Sequence, residues 1–186
     1  MKINIEHSDE ILTWYQSGFK SQFIDSNFCR TRVDFNGRLS SYTNELKNKL
    51  KSDCLFLLMA SLGEIGNNSF DHNLGQWQDE MGCLFIRTSE YAIVADRGQG
   101  IKSSLSKVYN LNKDDKSYLS VAFTKIITGR MPEKRGNGLK FVSTTLSRCN
   151  MGLICMSGEE YFSLNNLVLT ELIPLKGIGT FTVIGW

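Results

Sequence analysis

Apolar positions follow a helical rhythm in the first part of this 186-residue chain and a strand rhythm in much of the rest. In SDEILTWYQSGFKSQF (8–23) residues 11, 12, 15 and 19 are apolar, which predicts a helix with Ser8 as its cap and Glu10 nearby. CRTRVDFNG (29–37) breaks the rhythm: it alternates and ends in Asn-Gly, the pattern of a strand closing in a turn. Helical spacing then runs from about 41 to 73, with a break expected near Ser52-Asp53. GCLFIRT (82–88) and YAIVADRG (91–98) read as two strands of a tight hairpin, separated by Ser89-Glu90. DDKSYLSVAFTKIITG (114–129) reads as a helix capped by aspartate, and GLKFVSTTLSRCN (138–150) as a helix opening on glycine. GLICMSG, YFSLN, LVLTELI and GTFTVIGW are four further strands. Strands adjacent in sequence favour antiparallel pairing. The expected fold is therefore α+β, a two-layer sandwich with a mixed, mostly antiparallel sheet and helices on one face.

Composition narrows the classes. Hydrophobic residues at 41% and charged residues at 22% suit a globular domain with a buried core, and a net charge of +2 offers no nucleic-acid footprint. The longest apolar stretch, CLFLLMASL, falls far short of the ~20 residues that span a bilayer. Charges interrupt MKINIEHSDEIL, so no signal peptide is expected there. The five cysteines are odd in number and form no CxxC pair, which argues against a zinc site or a disulfide framework. They read as small buried hydrophobes in a reducing cytoplasm, with neither nucleic acid nor membrane as partner.

Four polar-and-glycine clusters carry candidate chemistry. GEIGNNSFDHN (63–73) continues an apolar helix, placing Glu64, Asn68 and His72 one turn apart on a single face. Such a carboxylate and carboxamide offer oxygen ligands to a hard cation, and a base that orients a hydroxyl or water. Gly63 and Gly66 suggest close approach by another backbone or a ligand. VADRGQGI (94–101) delivers Asp96 at a strand end, where it can accept from an exocyclic amine, with Gly98 and Gly100 leaving room for a ring or phosphate. KRGNGLKFV (134–142) puts Lys134, Arg135, Gly136, Asn137 and Gly138 at a helix start, an anion-binding arrangement. GIGTFTVIGW (177–186) places Thr180 at the start of an apolar strand.

In this order, ExxxN, DxGxG, GxGL and GT, the clusters resemble the boxes of the Bergerat-fold GHKL superfamily. That superfamily includes gyrase-type topoisomerases, heat-shock chaperones, histidine kinases and mismatch-repair ATPases. The resemblance covers about residues 45–186, leaving 1–44 as an extension that forms a homodimer contact or a partner-docking helix. It implies ATP and Mg2+ as ligands. Glu64 takes the catalytic position, Asn68 holds the metal, and Asp96 recognises the adenine amino group with Gly98, Gly100 and Ile101 shaping the pocket. Lys134, Arg135, Gly136, Asn137, Gly138 and Leu139 fall by the phosphates at the end of a lid from about 101 to 135, and Thr180 fits the last box.

His72, eight residues after Glu64, resembles the first box of anti-sigma-factor serine kinases, although Ser69 replaces their usual alanine. His7 lacks the context of a phosphoacceptor, and 186 residues leave no room for a transducer domain. The resemblance thus implies a small cytoplasmic signalling module with a regulatory protein partner, of the anti-anti-sigma kind. It phosphorylates that partner, or acts as a nucleotide-gated binding module, or hydrolyses ATP slowly. His72 is left between a helix-end role and a phosphate-side role. Asp71 is left between a second metal-side carboxylate and a salt bridge on the back face.

Overall fold

Strand β4 (Tyr91–Asp96) is buried along its whole length, so the sheet it belongs to is covered on both faces. A computed structural model of the chain describes residues 1–73, 75–127, 138–170 and 177–186. Around β4 lie β2 (Phe28–Cys29), β3 (Cys83–Arg87), β5 (Gly152–Gly158), β6 (Glu160–Leu164) and β8 (Gly177–Gly185). They form a six-stranded sheet in the order β2-β3-β4-β8-β5-β6. Every pairing in it is antiparallel. The fold is α+β, as expected. The parallel component is confined to a separate two-stranded pair, β1 (Lys2–Ile3) with β7 (Val168–Leu169). The β3–β4 hairpin forms as expected, with Thr88 joining Ser89 and Glu90 in the turn through Thr88 N–H to Tyr91 O at 3.0 Å.

Alternate side chains define two cores. Cys83, Phe85, Ala92, Val94, Leu153, Cys155 and Ile184 face one way. They meet α3 (Arg32–Leu46), α4 (Ser52–His72), α6 (Tyr118–Thr124) and α7 (Gly138–Arg148) through residues such as Phe35, Leu58, Leu62, Phe123 and Val142. Leu84, Ile86, Ile93, Ala95, Ile154, Phe181 and Val183 face the other way. They are sealed by Ile3 and Ile5, by Ile11, Trp14 and Tyr15 of α1 (Ser8–Ser17), and by Ile24 of α2 (Gln22–Asn27). The expectation of helices on one face is corrected: the N-terminal residues add a layer over the second. Residues 1–44 also contribute strand β2 and most of α3, and the limit at residue 45 falls inside that helix.

Local differences have local causes. The segment 29–37 is a strand only at Cys29, because Thr31 and Asp34 form a reciprocal capping box that starts α3 at Arg32. Phe35, Leu39, Tyr42 and Leu46 then fall at helical spacing and pack inward. α1 is preceded by His7 rather than Ser8 as cap; His7 has φ 57° and stacks on Phe23 at 4.0 Å. Ser117, not an aspartate, caps α6 by accepting from Ser120 N–H at 3.0 Å, while Asp115 pairs with Lys125 at 2.6 Å. A short helix, α5 (Gly100–Leu105), follows the DxGxG loop without a sequence signal that announced it.

The cysteine expectation is corrected at one pair. Cys54, in the first turn of α4, is disulfide-bonded to Cys149, just past α7, with Cα atoms 5.6 Å apart. Cys29, Cys83 and Cys155 are free and buried, as expected. No helix among the described residues is long and apolar enough to cross a membrane.

Candidate functional site

Helix α4 sends Leu58, Leu62, Ile65 and Ser69 toward the sheet, while Glu64, Asn67, Asn68 and Asp71 on its neighbouring face border a cavity. Of the two helical glycines, only Gly66 lies at a close approach, and there it serves packing rather than a ligand. A β-carbon on Gly66 would stand 2.0 Å from the Phe35 ring, so α3 and α4 approach at that point. One on Gly63 would meet only Leu39, at 3.5 Å.

The cavity measures about 520 Å³, within the range of sites for small organic ligands. Glu64, Asn68, Asp96, Gly100, Ile101, Gly138, Leu139 and Thr180 all border it. Residues spread over more than a hundred positions are thus brought to one hollow. Gly98 acts just behind the wall, donating its N–H to Asp96 Oδ1 at 2.9 Å. Lys134, Arg135, Gly136 and Asn137 lie outside the described residues, as do the last residues of the expected lid.

Asp96 forms the floor at the end of β4. It is 4% exposed and accepts from Ser69 Oγ at 2.9 Å, Asn73 Nδ2 at 3.0 Å and Gly98 N–H. Burial pushes its carboxyl up to about 6, and those donors, with the Thr180 backbone, hold it from going higher. The loop after it is shaped by close approach. Gly100 has φ 76°, and its β-carbon would touch Ser157 Oγ at 3.0 Å. Ser157 in turn accepts from Ile101 N–H at 2.9 Å and donates to Gly179 O at 2.8 Å, tying α5 to β5 and β8.

Where α4 meets α7, Glu64 and Gly138 touch; the two helices run in opposite directions, with the disulfide at the other end. Glu64 is half-buried, and burial followed by repulsion from Asp71 raises its pKa. Asp71 is ion-paired with Arg32 at the first turn of α3; both border the cavity, so the salt bridge lies on the cavity side and not on the back face expected for it. Asn67 Oδ1, beside Asn68, is buried without a hydrogen-bond partner among the described residues. Among the described residues no cluster of three or more His, Cys, Asp or Glu stands ready for a metal. Asn68 and the unused Asn67 oxygen fit instead a hard cation that takes one or two protein oxygens and completes its shell elsewhere.

Ser69, Asn73, Arg32 and Lys125 were not among the residues expected to form a site, yet all border the cavity. Asn73 sits at the end of α4 beyond any motif spacing, and Arg32 and Lys125 come from segments that no box marks. The carbonyl of His72 accepts from Gln99 Nε2, so the end of α4 is joined to the DxGxG loop. The model of no known protein family matches the chain. No curated protein matches it either.

Proposed function

We propose that the cavity binds ATP with Mg2+ and that the protein regulates a protein partner, as a histidine-kinase-like ATPase of the anti-sigma serine kinase type. The convergence of Glu64, Asn68, Asp96, Gly138 and Thr180 on one cavity of nucleotide size carries this reading. Asp96 would accept the adenine amino group; its Oδ2 takes one side-chain donor from the protein and keeps acceptor capacity. Asn68, with Asn67 beside it, would hold the cation, which neutralises phosphate oxygens when bound. Glu64 would orient the attacking hydroxyl. Its half-buried carboxyl has a raised pKa, which makes it a better proton acceptor when ionised than a solvated glutamate.

A switch without transfer has its own support. Arg97, in the same loop as Asp96 and Gly98, donates to the carbonyls of Trp14 and Tyr15 and to Asp79 Oδ2 at 2.8 Å. The adenine-side loop is thus bonded to α1 on the opposite face of the sheet, and a nucleotide that bound one arrangement of this loop better than another would shift α1 with it.

The two are separated by incubating the protein with γ-labelled ATP, Mg2+ and the proteins encoded beside it. Kinase action puts label on a partner and loses it in Glu64→Gln, which retains ATP binding. Binding that is gated by ATP with no labelled partner selects the switch. Transfer at the wild-type rate by Glu64→Gln removes the role given to Glu64.

A further inference from the structure

Asn73 ends α4 at 4% exposure, and every polar atom of its side chain is engaged. Nδ2 donates to Ser69 O at 2.9 Å and to Asp96 Oδ1 at 3.0 Å, while Oδ1 accepts from Gln99 N–H at 3.0 Å. The reverse orientation of the amide would set an NH2 against the Gln99 N–H and a carbonyl against the carboxylate, so the network permits one orientation. The carboxamide also fills the space beside Gly98, where a β-carbon would stand 2.0 Å from Asn73 Cγ. The loop from Asp96 to Gln99 is therefore folded around this one side chain. Ser69 completes the arrangement by donating to the other carboxylate oxygen at 2.9 Å. Helix capping explains the bond to Ser69 O, but not the bonds to Asp96 and Gln99 across the cavity wall.

Resting on the nucleotide reading above, we propose that Asn73, assisted by Ser69, is the positioning residue that sets purine selectivity. It holds Asp96 as a fixed acceptor, so the site takes a 6-amino purine over a 6-oxo purine. Donors on both oxygens favour the ionised carboxylate, which can only accept. A 6-amino group satisfies it. A 6-oxo group brings a second acceptor and leaves a buried polar group unpaired.

The test is titration calorimetry of ATP and inosine triphosphate, each with Mg2+, on the wild-type chain, Asn73→Asp and Ser69→Ala. Asn73→Asp is nearly isosteric and keeps the acceptor for Gln99 N–H, but it replaces the donor to Asp96 with a carboxyl oxygen. Two carboxyls so placed hold a proton between them, so the negative charge that draws an amino group to Asp96 is weakened and its acceptor is no longer fixed in place. The wild type is expected to favour ATP by about tenfold or more, and Asn73→Asp to lower that ratio by about tenfold. Ser69→Ala should lower it by about threefold, and it carries the test if Asn73→Asp fails to fold. If both variants weaken the two nucleotides equally and keep the wild-type ratio, Asn73 is structural only and the inference is overturned. A wild type that binds both nucleotides equally overturns it while leaving the nucleotide reading in place. A wild type that binds neither overturns both.

Discussion

Glu64 and Gly138 meet so closely that a β-carbon on Gly138 would stand 1.7 Å from Glu64 Oε1 and 2.5 Å from its Cδ. What stands in the way is the end of a flexible side chain, and Gly138 is the first residue of α7. Gly138→Ala is therefore expected to displace the Glu64 carboxylate rather than unfold the protein. Thermal unfolding should stay within a few degrees of wild type, since alanine is the better helix former by up to about 1 kcal/mol. Phosphoryl transfer or ATP turnover should drop as far as in Glu64→Gln. A variant that keeps wild-type activity would show that Glu64 need not occupy this place.

Gly66 presents the opposite case. Its β-carbon would lie 2.0–2.6 Å from three atoms of the Phe35 ring, which is fully buried in the core. Gly66→Ala should cost about 1–3 kcal/mol, as overpacking does. Phe35→Leu in the same chain should recover part of that loss. Chemical denaturation of the single and double variants measures it, and an additive double variant would deny the contact.

Asp96 makes stability depend on pH in an unusual direction for a carboxylate. Its native pKa, about 6, lies above the ordinary 3.8. The contribution is fully present below the unfolded value, where both states are protonated. It is lost as pH rises from about 4 through about 6, because the unfolded chain ionises first. Asp96→Asn removes the dependence. The stability of Asp96→Asn relative to wild type should therefore climb by about 2 kcal/mol between pH 4 and pH 7. A difference that stays flat across that window would contradict the burial of an ionisable group here.

The Cys54–Cys149 bond closes a loop with a sequence separation of 95 and clamps α4 to the end of α7. Reduction, or Cys54→Ser with Cys149→Ser, should lower stability by about 2–4 kcal/mol, read as a lower denaturant midpoint. An unchanged midpoint would mean that the cross-link restrains little.

What could be read along the chain was whatever is written in short-range pattern. The β3–β4 hairpin, the long apolar stripe of α4 and the helix opening at Gly138 all declare themselves within a dozen residues. Glu64, Asn68, Asp96 and Gly138 stand out in short polar-and-glycine clusters, and they meet at one cavity. Features made by distant partners stayed hidden. Ile11, Trp14 and Tyr15 mark a helix but not the sheet face they cover. The Thr31–Asp34 capping box competed with an alternating pattern and an Asn-Gly pair, and burial of Phe35 favoured the helix. Neither cysteine of the disulfide lies near the other in sequence. Ser69, read as a departure from a motif, proves to be a donor to Asp96.

The most direct measurement is titration calorimetry of the wild-type chain with ATP and Mg2+, alongside Asp96→Asn. The expected result is saturable binding at a single site that weakens without Mg2+ and falls by about tenfold or more in Asp96→Asn, the loss of one charge-assisted hydrogen bond. Absence of heat at millimolar ATP, or binding that ignores the change at Asp96, would contradict the assignment of this cavity to an adenine nucleotide.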